Sequence, residues 1–220
     1  MKGEGVRTQQ NLRTDRPKSI LSILTDFIFV SIAAYLLLNY VSTFLTHAET
    51  MLVVVREAFF TAYLLIALTF LAIRNNARAF ASRKRDYAYA ILGLGSPLLF
   101  QLTPRVGPLY VGVSLEFLGL ILVVTAFLSL NRSFGVAPEN RGVKTGGVYK
   151  FVRHPMYLGY ILTETGYVVE NASVFNLFIL TASVLFLILR LLAEERLLQE
   201  DQAYRSYARK TKWRLLPLLF

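Results

Sequence analysis

The residues best suited to chemistry lie in one short segment, residues 146–160. The segment opens with paired glycines, which let a backbone approach a ligand closely, and continues through a basic and aromatic run. It contains His154, one of only two histidines in the chain, followed by Pro155. A helix that begins at this proline leaves N–H groups free for an anion, while Tyr149 and Tyr157 offer flat faces. The segment fits either a binding site for a ligand that has an aromatic base, an anionic group and a positive centre, or a belt of aromatic residues at the membrane interface.

Three further ionisable residues are candidates. Glu164 follows Tyr157 by seven residues, which puts both side chains on one face of a helix, near the opening of the His154 loop. It either lines a cavity or makes a hydrogen bond between helices. Arg190 and Glu194 are one helical turn apart and can pair. They form either a functional unit or an ion pair that marks the end of a helix.

The composition tells which kind of protein positions these residues. Of 220 residues, 55% are hydrophobic and mean hydropathy is +0.47, against about 45–50% apolar residues in soluble domains. The chain is therefore expected to be an integral membrane protein. It has no cysteine, which excludes disulfides, zinc thiolate sites and cysteine nucleophiles. The polar, basic start lacks the features of a cleaved signal peptide, so the first apolar segment should be retained.

Apolar segments predict the architecture. Six of them are near or somewhat below the ~20 residues that cross a hydrocarbon core. Backbone polar groups must be paired in lipid, and these segments lack the alternation of barrel strands, so each is expected to be a helix. We predict an all-α membrane protein with about six transmembrane helices. The segments are 20–45, 51–73, 87–103, 109–130, 156–170 and 173–192.

Basic residues predict the orientation. Of the 24 Lys and Arg residues, 21 lie in the two tails and in the second and fourth connections, and the opposite turns hold only Arg105. This alternation follows the positive-inside rule and predicts that both termini are cytoplasmic, in the inner membrane if the protein is bacterial. It also explains the net charge of +10 without a nucleic-acid partner.

Three regions follow from this topology. Residues 1–19 form a basic cytoplasmic tail, residues 20–130 hold four transmembrane helices, and residues 131–220 hold two helices, the candidate motifs and a cytoplasmic tail. The candidate site is predicted at the cytoplasmic side of the carboxy-terminal half, where the long connection precedes His154.

Motifs in this half carry a family resemblance. Over about residues 130–217 the chain resembles the isoprenylcysteine carboxyl methyltransferase family and its phospholipid N-methyltransferase relatives, whereas the first four segments share only hydrophobicity with them. The matching residues, in order, are Gly-Val-Tyr149, Arg153-His154-Pro155-Met156-Tyr157-Leu158-Gly159, Arg190, Glu194-Glu195-Arg196-Leu197-Leu198, Tyr204-Arg205-Ser206-Tyr207 and Pro217.

The resemblance implies a membrane methyltransferase that uses S-adenosylmethionine without a Rossmann domain, and no strand followed by the glycine fingerprint of such a domain is evident. No metal is needed. Arg190 is implied to face the substrate, and the loop 141–144 has weaker support as a cofactor contact. The implied cofactor contacts are Tyr149, His154, Pro155, Met156, Tyr157 and Glu194.

The acceptor stays open at this point. A lipophilic carboxylate of the isoprenylcysteine type, entering from the bilayer, would suit a bidentate contact with Arg190. An amine of a phospholipid, or a thiol, would need a base, for which Glu164 or Glu194 is the nearest candidate. An NADPH-dependent reductase of the sterol type and a non-catalytic membrane scaffold are the remaining alternatives. The chain departs from the family at 200–202, where Phe-Gly is usual and the spacing to Tyr204 is one residue shorter.

Overall fold

The computed structural model describes residues 20–46, 51–103 and 109–217. Seven α-helices and two very short strands account for most of this part of the chain. Short 3₁₀ turns connect several of them. The helices are α1 Ile20–Thr46, α2 Met51–Ile73, α3 Lys84–Gly95, α4 Leu109–Leu130, α5 Pro155–Glu170, α6 Val174–Leu198 and α7 Gln202–Lys210; the strands are β1 Ala79–Phe80 and β2 Glu139–Asn140.

In the part of the chain that the structure describes, four helices are long and apolar enough to cross a membrane. They are α1, α2, α4 and α6. The predicted helix over 87–103 is wrong in its bounds, since α3 begins at Lys84 and ends at Gly95, followed by a 3₁₀ turn through Pro97. Proline has no N–H to donate and its ring clashes with the preceding turn. Within the described residues α3 has 12 residues and α5 has 16, so six transmembrane spans stay a prediction.

Two other differences concern the carboxy-terminal half. The sixth segment was expected to end at residue 192, but α6 continues to Leu198 and carries Glu194 and Glu195 within the helix. The fold is also not purely helical, because β1 and β2 pair in antiparallel register, Ala79 opposite Asn140. This pairing attaches the connection after α2 to the long loop before α5.

Glycines bring α4 and α5 into backbone contact. A Cβ added to Gly119 would lie 2.6 Å from the Gly159 carbonyl oxygen, and one added to Gly159 would lie 2.8 Å from the Gly119 oxygen. About two helical turns away, a Cβ added to Gly112 would lie 2.8 Å from the Gly166 carbonyl oxygen. Small residues allow such close approach between membrane helices, where packing rather than hydrophobicity drives association. The contact fixes α5 along its length.

Polar contacts tie the first two helices to the loop before α5. Ser22, near the start of α1, donates to the Glu139 carboxylate in β2. Asp26 forms an ion pair with Arg74, just after α2. All four of these side chains are buried or partly buried. The start of α1 and the end of α2 therefore lie at the same end of the bundle as this loop.

The last described residues lie at this end too. The backbone N–H groups of Arg153 and His154 donate to the carbonyl oxygens of Trp213 (2.9 Å) and Arg214 (2.8 Å). The two outermost described ends of the chain thus share one side of the bundle. Which side of the membrane this is stays a prediction, and the basic tail 1–19 and Arg105 lie outside the described residues.

The glycine contact generates the first testable prediction. Gly119→Ala should lower the thermal melting temperature of the purified protein, because the added methyl group forces the helix backbones apart, and overpacking of this kind costs about 1–3 kcal/mol. Gly95→Ala at the end of α3 is the matched control, since its Cβ would meet nothing within 4 Å. Equal melting temperatures for the two variants would contradict the close α4–α5 contact.

Candidate functional site

A cavity of about 700 Å³ opens between the loop before α5, the first turn of α5, the end of α6 and helix α7. Its lining mixes aromatic rings with both signs of charge. The charged and aromatic lining residues are Phe134, Glu139, Arg141, Lys144, Tyr149, Arg153, His154, Tyr157, Arg190, Glu194, Tyr204 and Tyr207.

The start of α5 sets the position of the histidine. Pro155 occupies the first helical turn, where its fixed φ suits a helix and its missing N–H costs nothing. His154 precedes it with an extended φ of −130°, and its carbonyl oxygen accepts from Leu158 N–H at 3.3 Å. Its imidazole is buried and meets the Tyr157 ring edge-on, with centroids 5.5 Å apart. Histidine and tyrosine therefore enter the cavity as one packed unit.

Tyr157 lies between two charged residues of α6, Arg190 and Glu194. Its hydroxyl donates to Glu194 Oε2 at 2.6 Å, and the Arg190 guanidinium carbon lies 5.1 Å from its ring centroid, within cation–π distance. Arg190 and Glu194 therefore do not pair with each other, although their spacing allows it. Tyr157 lies between them, with its hydroxyl group on Glu194 and its ring face on Arg190.

Two donor groups of Arg190 have no acceptor among the described residues. Its Nη2 donates to the Val136 carbonyl oxygen at 2.6 Å, which holds the loop against α6. Its Nε and Nη1 are buried and have no hydrogen-bond partner among the described residues. Unpaired buried donors are costly, so this guanidinium is suited to receive an acceptor oxygen.

Glu195, buried at the next position along α6, organises the structure behind the cavity. A carboxylate with four donors around it is a strongly bound anion. The donors come from three separate segments and bring them together at α6. They are Arg153 Nη1 at 2.6 Å, His154 Nε2 at 3.2 Å, Tyr204 OH at 2.9 Å and Arg214 Nε at 2.8 Å.

Tyrosines from two elements close the cavity. Tyr207 OH donates to the Tyr149 carbonyl oxygen at 2.6 Å. Burial raises the pKa of Tyr149 well above its usual range, with a further contribution from the negative charge of Glu194. Burial also raises the pKa of Tyr207 to about 12. Both phenols therefore stay protonated at neutral pH and serve as neutral ring faces and donors.

The long loop contributes positive charge. Arg141 is buried, pairs with Glu139 and donates to the Asn75 carbonyl oxygen. Burial lowers the pKa of Arg141, while Glu139 raises it, and an arginine remains charged under both influences. Asn140 Nδ2 donates to Asp201 Oδ2 at 3.0 Å. The loop is thus attached both to the α2 end and to the start of α7.

Glu164 lies elsewhere. It lines a second cavity of about 800 Å³, bounded by α1 to α5, and is not among the residues that line the first. The expectation that it points to the His154 loop is therefore not met. Seven residues along an α-helix span roughly 10 Å, which is enough to carry it from one cavity to the next.

The structure brings together most of the residues singled out from the sequence. Pro155 is buried beneath the cavity, where it starts α5 without lining it. The sequence marks Glu195 as a charged neighbour of Glu194 but gives it no role in the site, although it follows the fully buried Leu187 and Leu191 at helical spacing and so belongs to the core stripe. The predicted residues that line the first cavity are Tyr149, His154, Met156, Tyr157, Arg190 and Glu194.

The network around Glu195 generates a prediction. Glu195→Gln should lower the melting temperature and increase proteolysis of the tail after α7, because hydrogen bonds to a charged group contribute about 1.5–3 kcal/mol. Glu200→Gln makes the same change at an exposed position nearby and should have little effect. A tail equally resistant to protease in both variants would show that Glu195 does not hold it.

Comparison with known proteins identifies the segment that contains this site. No curated protein matches the chain. Residues 108–205, however, match the family described as phospholipid methyltransferase, which includes members of the isoprenylcysteine carboxyl methyltransferase type. The match runs from α4 to the first turn of α7, so it includes the glycine contact, Tyr149 and Tyr204 but ends before Tyr207. The resemblance read from the motifs is confirmed by this match of residues 108–205 to the phospholipid methyltransferase family, in a chain with apolar helices long enough to cross a membrane.

Proposed function

We propose that this protein is a multi-pass membrane methyltransferase that uses S-adenosylmethionine and methylates a lipophilic acceptor, with both termini in the cytoplasm. The observation that carries the proposal is the arrangement around Tyr157. Its hydroxyl reaches Glu194 and its ring faces Arg190, so one residue stands between an anion suited to the cofactor and a cation suited to the acceptor. The family match of the same segment supports this interpretation.

The residues present fit the cofactor. Glu194 is part-exposed in the cavity and can accept from a hydroxyl or ammonium group. Tyr149 offers an aromatic face, and Arg141 and Lys144 offer positive charge for a carboxylate. His154, held by Glu195, gives the cavity a fixed polar wall. When bound, the cofactor supplies an activated methyl group on a sulfonium, so the protein needs neither metal nor covalent nucleophile.

The protein's share of the chemistry is alignment and exclusion of water. Arg190 has two unpaired donors that can hold a carboxylate acceptor in a bidentate contact. Tyr157 limits where the acceptor group lies, because the guanidinium packs against its ring. This favours a carboxylate of the isoprenylcysteine type. With an amine acceptor, for example on a phospholipid, Glu194 would be the carboxylate at hand to take the proton.

Cofactor binding is the direct test. Radiolabelled S-adenosylmethionine should bind purified wild-type protein and should not be displaced by NADPH. Glu194→Gln should raise the Kd about 10- to 100-fold, which corresponds to about 1.5–3 kcal/mol for a charged hydrogen bond, and Tyr157→Phe should also weaken binding. Glu200→Gln is the matched control and should bind like the wild type. Displacement by NADPH, or an unchanged Kd in both site variants, would disprove the assignment.

Arg190 should behave differently from Glu194. Arg190→Ala should strongly reduce transfer of the labelled methyl group to lipid-extractable acceptors while the Kd for the cofactor stays close to that of the wild type. Arg190→Lys should recover little, because an ammonium group cannot replace the planar pair of donors. Melting curves are recorded beside the titrations. Loss of melting temperature with full turnover in the folded fraction would assign Arg190 a structural role alone.

A further inference from the structure

The second cavity is a chamber inside the part of the bundle that can lie in the membrane. Helices α1 to α5 contribute its walls, which are mostly aliphatic and aromatic. Among the described residues that line it, Glu164 is the only carboxylate, and Tyr40, Tyr63, Tyr160 and Thr163 add hydroxyl groups. The predominance of apolar side chains in this lining suits an extended apolar molecule such as a lipid chain.

Glu164 is incompletely satisfied in this chamber. It is 7% exposed, and the Ser183 side chain of α6 lies beside its carboxylate. Its Oε2 has no hydrogen-bond partner among the described residues. A buried acceptor without a partner costs about 1–3 kcal/mol. The oxygen therefore marks a point in an otherwise apolar lining where a ligand that carries a donor gains binding energy.

Polar side chains of α5 and α6 meet at two depths in the bundle, one at each cavity, and we call these the two polar levels. Arg190 packs on Tyr157 at the first cavity, and Ser183 lies beside Glu164 at the second. Both steps, from Tyr157 to Glu164 on α5 and from Arg190 back to Ser183 on α6, are seven residues long. At a rise of about 1.5 Å per residue the levels are therefore roughly 10 Å apart.

A tyrosine pair lies between these levels. Tyr160 of α5 and Tyr63 of α2 both line the second cavity, and their hydroxyl groups lie close to each other. Tyr160 is also close enough to Arg190 to feel its charge. A ligand that reaches from Arg190 to Glu164 would pass along this pair, so the two cavities are suited to hold two parts of one molecule.

We propose that the second cavity binds the apolar chain of the methyl acceptor and that Glu164 recognises an uncharged hydrogen-bond donor, a hydroxyl or an amide N–H, placed part-way along that chain. This rests on the proposed function, because it takes the reacting group to lie at Arg190. The donor then lies roughly 10 Å from the group that receives the methyl. Glu164 becomes a specificity-determining residue of the acceptor site, distant from the transferred methyl group.

An uncharged donor suits the chamber better than an ammonium group. A charge at membrane depth costs several kcal/mol unless it is fully paired, and Glu164 already shares its carboxylate with Ser183. A hydroxyl or amide N–H costs less to bury and needs one acceptor. The unpaired Oε2 supplies one acceptor.

A matched pair of probes tests the proposal. Hexadecanoic acid and its mid-chain hydroxy derivative have the same carboxylate and chain, and differ only by the donor. Their Kd values are measured on purified full-length protein by displacement of radiolabelled hexadecanoic acid. The wild type should bind the hydroxy acid about tenfold more tightly, the ratio expected for one hydrogen bond to a buried acceptor. Glu164→Leu should abolish this preference and still bind hexadecanoic acid.

The controls keep the outcome decisive. Glu164→Gln retains an acceptor oxygen and should keep part of the preference, and Glu200→Gln should keep all of it. Equal affinities of the wild type for the two acids would overturn the proposal; this result is expected if a water molecule already satisfies Glu164. A preference that persists in Glu164→Leu would overturn it too. Radiolabelled S-adenosylmethionine binding is measured on the same samples; its absence in the wild type would disprove the proposed methyltransferase function without touching the preference for the hydroxy acid.

Discussion

The close backbone contact between α4 and α5 is the constraint on which the site depends. Gly119 and Gly159 face each other so closely that a methyl group on either would overlap the opposite carbonyl. Membrane helices gain little from hydrophobicity in lipid and rely on such fitted surfaces. Because α5 starts at the site and continues into the second cavity, this contact places Tyr157 and Glu164 together. Any shift of α5 would move both polar levels.

The start of α5 is held in place by a buried ionic network. Glu195 collects donors from the turn before α5, from α7 and from the segment after α7. Each of these donors would cost more in a dry environment without the carboxylate, so their shared partner makes the arrangement cooperative. The helix that carries the candidate cofactor residues is therefore held by packing along its length and by a buried ionic network at its start.

The two cavities have different linings and therefore suit different parts of the ligands. The first, at the polar end, has charges of both signs and several tyrosines, which suits a water-soluble zwitterion. The second is apolar apart from a few polar groups, which suits a lipid chain. Arg190 belongs to the first cavity and acts electrostatically on Tyr160 of the second. The first four segments were expected to share only hydrophobicity with the family, but the match includes α4. The first three helices lie outside the match and contribute walls to the apolar cavity.

The sequence by itself determined the class of protein, four of its six predicted membrane helices and most of the residues at the first cavity, because hydropathy and the motif around His154 are local properties of the chain. The break near Pro97 and the extension of α6 through Glu195 also follow from local chemistry and helical spacing, but hydropathy alone did not reveal them. Only the tertiary structure decided which carboxylate meets which partner. Glu194, Glu195 and Glu164 carry the same chemical group, but small differences of helical phase and depth direct them to a tyrosine hydroxyl, a cluster of cations and an apolar chamber.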